Sequence, residues 1–212
     1  MHPFITYLRT RLLKPLPGSA AQSIMAPVPH NEKPPEVSIP LDASQNAVLI
    51  LFSISAGRSL EMLYTLRSDK LLSHKGQISF PGGRTEAGEQ PEDTALRESH
   101  EEVGIEPDRV SLLGGLSPLY VPPSNNVINP VVGYVNTLPK LCLQESEVAE
   151  AFTIALDELI SEARLHNELW QLRGQSFSVP YWDVHATPLW GATAMITSEV
   201  IELYKEYLEA CR

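Results

Sequence analysis

Short apolar runs and one acidic amphipathic segment dominate the chain, and together they predict a mixture of strands and helices. The run at 46–54 is typical of a buried strand, and 60–66 alternates as its antiparallel partner would. Segment 91–103 is the clearest helix, because Pro91 suits a first turn and Gly104 is a natural stop. Further strands are predicted at 76–80, 110–119, 129–135, 148–152 and 179–185, a loop at 120–126, and further helices at 155–166 and 198–209.

These elements follow no regular βαβ alternation, so the pattern favours a layered α+β fold over a doubly wound one. A length of 212 residues suits a single domain, which we place at 45–212. Residues 1–44 form an N-terminal helix and a proline-rich leader in this prediction, since prolines exclude regular helix or central strand between 14 and 40. The basic segment 4–14 has two interpretations: a short helix packed on the domain, which we favour, and an amphipathic transit peptide.

The charge balance narrows the partners. Lys plus Arg number 16 and Asp plus Glu number 26, for a net charge of −10, which argues against binding to nucleic acid or anionic membranes. An anionic substrate stays open, because a divalent cation can reverse the local sign. No apolar run approaches the roughly 20 residues that span a bilayer. With only Cys142 and Cys211, a reducing compartment fits best, so we predict a soluble, cytoplasmic protein.

The predicted helix at 91–103 carries the candidate chemistry. Glu98, Glu101 and Glu102 have i, i+3, i+4 spacing and share one face, where like charges cost a few tenths of a kcal/mol per pair. Such a face is either merely solvated or organised around cations. Glu89 just before the helix and the flexible Gly82-Gly83 pair favour the second interpretation. Oxygen ligands of this kind suit Mg²⁺ or Mn²⁺ and phosphate substrates, which indicates metal-assisted attack of water on a phosphate ester or anhydride.

The same segment resembles the motif of a known family. The spacing Gly83-(5)-Glu89-(7)-Arg97-Glu98-Ser99-His100-Glu101-Glu102-Val103-Gly104-Ile105 is similar to the Nudix box, G-x(5)-E-x(7)-R-E-U-x-E-E-x-G-U, where U is a bulky aliphatic residue. Ser99 departs from the pattern at a U position that normally packs the helix onto the sheet. The resemblance implies an α-β-α sandwich with a mixed sheet, and hydrolysis of a nucleoside diphosphate linked to another group.

The resemblance also implies roles for particular residues. A base or further metal ligand often comes from outside the box, and we predict Glu147 for it, with Glu150 second, because both lie at a strand start after a loop. A solvated loop acid is the alternative for each. Within the box, the implied metal ligands are the Gly83 backbone, Glu98, Glu101 and Glu102, and the implied orienting pair is Arg97 with Glu89, so that the candidate catalytic residues are Glu89, Arg97, Glu101 and Glu147.

The segment before the box, 63–83, is similar to the signature of Nudix coenzyme A pyrophosphatases, L-L-T-x-R-S-x(3)-R-x(3)-G-x(3)-F-P-G-G. Tyr64 and Leu72 depart from it, replacing a Leu and an Arg. The resemblance implies cleavage of coenzyme A to 4′-phosphopantetheine and adenosine 3′,5′-bisphosphate. Four cationic side chains near the acidic helix are candidates for binding the phosphates of coenzyme A, and three aromatic residues are candidates for stacking on its adenine. The cations are Arg67, His74, Lys75 and Arg84, and the aromatic residues are Tyr120, Tyr181 and Trp182.

Two alternatives stay open at this stage. One is a Nudix hydrolase of another nucleoside diphosphate derivative, such as ADP-ribose, a dinucleotide or an oxidised nucleotide. The other is a Nudix-fold binding module without catalysis, although such modules usually lose box carboxylates that are all present here. The predicted partner is a small nucleoside diphosphate, and the oligomeric state is open, with a homodimer as one alternative.

Overall fold

A mixed sheet of eight strands forms the centre of the protein in the computed structural model, which describes residues 2–30, 38–70 and 75–212. Its backbone order is β4-β3-β2-β8-β6, with β9 beside β3, β5 beside β2 and β7 beside β8. The pair β2–β8 is parallel and the other pairs are antiparallel. The strands are β1 Val28–Pro29, β2 Ser44–Ile54, β3 Leu60–Arg67, β4 Ile78–Ser79, β5 Gly82–Arg84, β6 Ser111–Gly115, β7 Leu119–Val121, β8 Asn126–Tyr134, β9 Val148–Ala155, β10 Leu165–Leu172, β11 Gln175–Trp182 and β12 Leu189–Trp190.

Helices cover both faces of the sheet. The alternation of β2 directs Leu49 and Leu51 into one apolar cluster with Val103, and Ile50 and Phe52 into a second cluster with the C-terminal helix. The expected α+β sandwich with a mixed sheet is therefore confirmed. None of the helices that the structure describes is long and apolar enough to cross a bilayer. The helices are α1 Pro3–Arg11, α2 Ser19–Gln22, α3 Pro91–Val103, α4 Leu156–Leu159 and α5 Gly191–Ala210.

One predicted helix, 155–166, is wrong. Only the turn Leu156–Leu159 is α-helical, and β10 begins at Leu165. Beyond that turn the chain pairs residue by residue with β11, through a two-residue turn in which Arg173 and Gly174 have φ values of 52° and 81°. Two positive φ values are typical of the type I′ turn that joins twisted antiparallel strands. Hairpin pairing, which lies outside the local window, therefore overrides the apolar spacing.

The bounds of other predicted elements differ less from those in the structure. The predicted strand 110–119 is divided into β6 and β7 around Pro118, which has no N–H for a ladder. The predicted loop 120–126 contains the end of β7 and a 3₁₀ turn at Pro122–Ser124, and the predicted strand 76–80 shortens to Ile78–Ser79. The predicted helix 91–103 has the same bounds in the structure, while the C-terminal helix begins earlier, at Gly191.

The N-terminal leader is anchored in the core. Helix α1 buries Phe4, whose ring centroid lies 4.9 Å from that of Tyr204 and 6.1 Å from that of Phe52. Arg11 Nε donates to Glu206 at 2.7 Å on α5. The favoured interpretation of a short helix packed on the domain agrees with these contacts. The domain boundary at residue 44 stays a prediction.

A buried carboxylate fastens the next part of the leader. Glu199 on α5 is fully buried, and it accepts hydrogen bonds from Gly18 N at 2.9 Å and Gln22 Nε2 at 3.1 Å. Ser117 Oγ donates to the same carboxylate at 2.7 Å. Because a buried acceptor without partners costs several kcal/mol, these donors fix where the proline-rich segment crosses the surface.

We expect Phe4→Ala to lower the free energy of unfolding by about 3–5 kcal/mol, because it removes a fully buried ring from a packed aromatic cluster. Urea denaturation followed by circular dichroism measures the change. Leu13→Ala is the matched control in the same leader, since Leu13 is 84% exposed and should cost less than about 0.5 kcal/mol. Equal stability of the two variants would contradict the integration of α1 into the core.

Candidate active site

The ends of α3 are fixed by local sequence. At its start the Gln90 backbone N–H donates to Asp93 at 3.0 Å, and Pro91 follows in the first turn. At its end Gly104 adopts φ 73°, and a Cβ there would lie 3.0 Å from Cys142. The helix therefore presents its acidic face between two defined stops.

Arg97 joins the acidic loop to the acidic helix. Its guanidinium binds both oxygens of Glu89, with Nε–Oε1 at 2.7 Å and Nη2–Oε2 at 3.1 Å, which is bidentate geometry. Nη1 also donates to Glu98 Oε1 at 2.8 Å, and Nη2 donates to the Arg84 carbonyl at 3.1 Å. Glu101 lies at the margin of this network, with Oε2 3.5 Å from Nη1 and the side chain 58% exposed.

Glu89 is held as a carboxylate. Hydrogen bonds from Arg97, from the Glu86 backbone N–H and from Thr94 Oγ1 lower its pKa to about 2. Thr94 is fully buried, and its hydroxyl lies 2.7 Å from Glu89 Oε2. Sequence analysis missed this threonine, although a hydroxyl in the first turn of the helix, five residues after Glu89, was a usable signal. The same contacts raise the pKa of Arg97, with the Glu89 hydrogen bond as the main cause.

The glycine pair makes room for the helix carboxylates. A Cβ on Gly83 would overlap the Glu98 carboxyl group, and a Cβ on Gly82 would overlap the Ala47 carbonyl oxygen. Gly83 in β5 therefore lies directly against Glu98, and Gly82 lies directly against the backbone of β2. A Cβ at Gly82 would push β5 away from β2, and a Cβ at Gly83 would displace the Glu98 carboxyl group.

Glu98, Glu101 and Glu102 form an acidic row along α3, and Glu102 is its buried member. Its side chain accepts a hydrogen bond from Gly82 N at 3.2 Å, and the residue is only 4% exposed. Burial raises its pKa to about 7, the charges of Glu98 and Glu147 push in the same direction, and Arg67 opposes them. Burial also raises the pKa of Glu98, which Arg97 partly offsets.

The structure brings Glu147, but not Glu150, towards this row. The Glu147 carbonyl accepts from Ser68 N at 2.8 Å, and Gln144 N donates to the Glu102 carbonyl at 2.9 Å, so the loop lies along the end of α3. The register between β3 and β9 shifts between Val148 and Glu150, which leaves Ala149 unpaired. Glu150 instead has its Oε2 3.4 Å from Nε2 of His185.

The candidate phosphate-binding cations are distributed around the site. Arg67 shares a face of β3 with Leu63, which packs in the same apolar cluster as Val103 of α3. The charge of Arg67 acts on Glu102. Its Nε is buried, with no hydrogen-bond partner within the described part of the chain. Lys75 and Arg84 are exposed. His74, and Leu72 with it, lie outside the described residues.

The aromatic candidates are less suited to stacking on a base. Trp182 is 4% exposed, and its indole N–H donates to the Leu159 carbonyl at 3.0 Å, so it belongs to the core and its prediction as a stacking residue is wrong. Tyr181 donates to Glu168 at 2.8 Å across the β10–β11 hairpin. Tyr120 donates to Asn125 Oδ1 at 3.0 Å, in the loop after β7.

Ser99, the departure from the box, is fully buried, and its hydroxyl donates to the Ala95 carbonyl at 2.6 Å. The helix itself therefore satisfies the polar atom at this apolar position. Replacing a large aliphatic side chain reduces the apolar contact of α3 with the sheet, but it leaves the acidic face unchanged.

The donor set fits a divalent cation. Glu98 and Glu102 offer carboxylate oxygens beside the Gly82-Gly83 backbone, and burial raises the pKa of both, which a bound cation would reverse. Within residues 2–30, 38–70 and 75–212 no three carboxylate, imidazole or thiolate groups form a ready-made cage. A hard cation held by one or two carboxylates, with water and substrate phosphate completing its shell, matches this arrangement.

Similarity to known proteins agrees with this geometry. A model of the NUDIX domain family matches residues 43–173. The chain belongs to the Nudix family. It is a Nudix hydrolase, an enzyme that acts on phosphoric anhydride bonds, and hydrolases of this family generally need divalent metal cations.

Named relatives cover most of the chain. Nudix hydrolase 3 of Caenorhabditis elegans is 31% identical over an alignment of 197 residues, and the match covers 84% of this chain and 81% of that protein. The mouse protein named mitochondrial coenzyme A diphosphatase NUDT8 is 34% identical, over 67% of this chain and 70% of its own length. The crystal structure of RenU, a Nudix hydrolase from M. smegmatis, superposes with a TM-score of 0.55 at 16% identity, covering 85% of this chain and 94% of RenU, which shows the shared fold.

The raised pKa of Glu102 predicts a pH-dependent stability. A carboxyl with a higher pKa in the folded state destabilises the fold as pH rises from about 4.5 to about 7, and the full cost persists above that. Without divalent cations, Glu102→Gln should therefore raise the free energy of unfolding by up to about 3 kcal/mol at pH 8 and leave it unchanged at pH 4. Urea unfolding in chelator across this range measures it, with the exposed Glu101→Gln as control. A gain at pH 4 as large as that at pH 8 would refute the burial argument.

Proposed function

We propose that this Nudix hydrolase cleaves the pyrophosphate of coenzyme A or its thioesters, giving 4′-phosphopantetheine and adenosine 3′,5′-bisphosphate. The observation that carries the proposal is the position of Arg67, from the segment similar to coenzyme A pyrophosphatases, on the same face of β3 as Leu63, where its charge acts on the Glu102 carboxylate of the box. A substrate pyrophosphate at the acidic row would be within reach of this cation. The name of the mouse relative, a coenzyme A diphosphatase, supports the same substrate.

In this proposal Glu98, Glu101, Glu102 and the Gly83 backbone would hold Mg²⁺ or Mn²⁺. Bound there, the cation would neutralise charge on the pyrophosphate oxygens and lower the pKa of a water molecule. Arg97 and Glu89 act as positioning residues, because their bidentate pair keeps the loop against the helix. Glu147, whose charge acts on both Glu98 and Glu102, is the candidate base.

The separate 3′-phosphate of coenzyme A needs its own cation. Arg67 lies on the face of β3 that packs towards α3, whereas the exposed Lys75 and Arg84 lie immediately before and after segment 76–83. We assign Arg67 to the pyrophosphate and the exposed pair, together with His74, to the outlying phosphate. An exposed cation contributes little unless substrate desolvates it, so each of the outer residues should matter modestly alone.

The alternative substrates are other nucleoside diphosphate derivatives, such as ADP-ribose or a dinucleotide. The box treats any pyrophosphate alike, so discrimination depends on groups outside it. The predicted location is the cytoplasm, whereas the mouse relative is named as a mitochondrial protein.

Loss of one box carboxylate should abolish turnover without unfolding the chain. We expect Glu98→Gln and Glu102→Gln to lower kcat at least about a hundredfold, because each removes a charged ligand of the catalytic cation. Glu92→Gln is the matched control, since Glu92 is an exposed acid in the first turn of the same helix. Steady-state rates in Mg²⁺ and Mn²⁺, with circular dichroism of each variant, provide the test. Wild-type turnover in the Glu102 variant would remove the metal-site assignment.

Product analysis decides the substrate. With coenzyme A, mass spectrometry should detect 4′-phosphopantetheine and adenosine 3′,5′-bisphosphate, at a higher kcat/KM than with ADP-ribose or a dinucleotide. Arg67→Gln should lower kcat/KM for coenzyme A about tenfold or more, through a lost charge-assisted contact, while exposed Arg109→Gln should not. Higher kcat/KM for ADP-ribose would transfer the assignment to that substrate class and leave the metal site intact.

A further inference from the structure

The second sheet has one unprotected edge. Its order is β1-β11-β10, with β12 also beside β11, so the outer side of β10 has no partner strand in the described ranges. At the other edge, β1 is only two residues long and ends at Pro29, which lacks an N–H. Strand β10 is eight residues long and contains no proline, lysine or bulge. Proline, lysine or a bulge in an edge strand usually prevents that strand from pairing with another chain.

The direction of the free backbone groups follows from the pairing with β11. Asp183 N donates to the Arg164 carbonyl at 2.8 Å, so Arg164 points towards the β11 side. Because an antiparallel strand alternates between inward and outward backbone groups, Leu165, Asn167 and Leu169 point their N–H and C=O groups at the open edge. Each can therefore accept and donate hydrogen bonds with another extended chain.

The side chains along this edge alternate between two faces, one with Leu165, Asn167, Leu169 and Gln171 and the other with His166, Glu168, Trp170 and Leu172. Leu165 and Leu169 lie on one face and are 42% and 61% exposed. His166 and Glu168 lie on the other face. Tyr181 and Trp170 donate to the Glu168 carboxylate at 2.8 and 3.2 Å, which holds it in a defined position.

We propose that β10 pairs antiparallel with β10 of a second copy of this chain, about a two-fold axis at Asn167. This register places His166 opposite Glu168 of the second copy on one face. It places Leu165 opposite Leu169 of the second copy on the other face. An imidazole N–H facing a carboxylate, and apolar side chains facing each other, stabilise antiparallel strands, and the two β10 strands would join the second sheets of both copies into one.

The neighbouring registers are worse for a specific reason. Outward backbone groups pair only when the odd-numbered residues of both strands face each other, so the strand can slip only in steps that keep this match. One step in either direction sets Glu168 opposite Glu168, or His166 opposite His166. Each slip also sets one exposed leucine opposite Asn167 and separates Leu165 from Leu169. The chemistry of the edge therefore selects a second copy in one register, and the catalytic helix α3 takes no part in the pairing.

Analytical ultracentrifugation of the full chain tests the pairing. We expect a concentration-dependent dimer, and Leu169→Lys should raise its Kd at least about tenfold by placing a charge at the contact. Leu112→Lys is the matched control, because Leu112 is 38% exposed on β6 of the other sheet and should leave Kd unchanged. A wild-type chain that stays monomeric at its highest soluble concentration would overturn the proposal, as would a dimer that Leu169→Lys leaves intact.

Cysteine cross-linking tests the register. In a Cys142→Ser/Cys211→Ser background, which removes both exposed native thiols, Asn167→Cys should form an intermolecular disulfide on the two-fold axis. Gln171→Cys, which points outward from the same strand but lies off the axis, should not. A charge exchange gives a second readout, because His166→Glu should weaken the dimer and His166→Glu/Glu168→His should restore it. Cross-linking at 171 but not at 167, or no restoration by the exchange, would contradict this register.

Discussion

One guanidinium organises the acidic site. Arg97 binds Glu89 through two hydrogen bonds and Glu98 through a third, so it joins the loop that precedes α3 to the face of α3 itself. Without that cation, the carboxylates near it would repel one another, and the ion-pair link between the loop and the helix would be lost. The glycine pair has its own support, because Gly82 and Gly83 pair with Val48 and Ala47 of β2, and this pairing holds Gly82 N near the Glu102 carboxylate.

The site is also built to be incomplete by itself. Glu102 is buried with one backbone donor, and the pKa of the neighbouring Glu98 is raised by burial, so the fold accepts an electrostatic cost at this point. The two apolar clusters on either face of the sheet, and the buried aromatic contacts of the leader, supply stability elsewhere. A cation that relieves this cost therefore binds more tightly to the folded chain than to the unfolded one, which couples metal binding to stability.

The parts of the fold that local spacing determines were predictable from the sequence. The bounds of α3 follow from Pro91 and Gly104, and the acidic row follows from helical periodicity. The β10–β11 hairpin was not predictable from local apolar spacing, because its stability comes from pairing between residues that are distant from that window. The approach of Glu147 to the row depends on a register shift between β3 and β9, and the satisfaction of Ser99 depends on a helix carbonyl. Such tertiary facts leave no periodic signal in the chain.

The contact between the first and last helices bears on how the chain folds during synthesis. Phe4 packs against Tyr204, and the Arg11 guanidinium pairs with Glu206, at sequence separations close to the whole chain length. A nascent chain emerging from the ribosome therefore carries an amphipathic helix whose docking site is incomplete until α5 has been translated. During that interval the exposed face of α1 is a natural substrate for a chaperone that binds short hydrophobic segments.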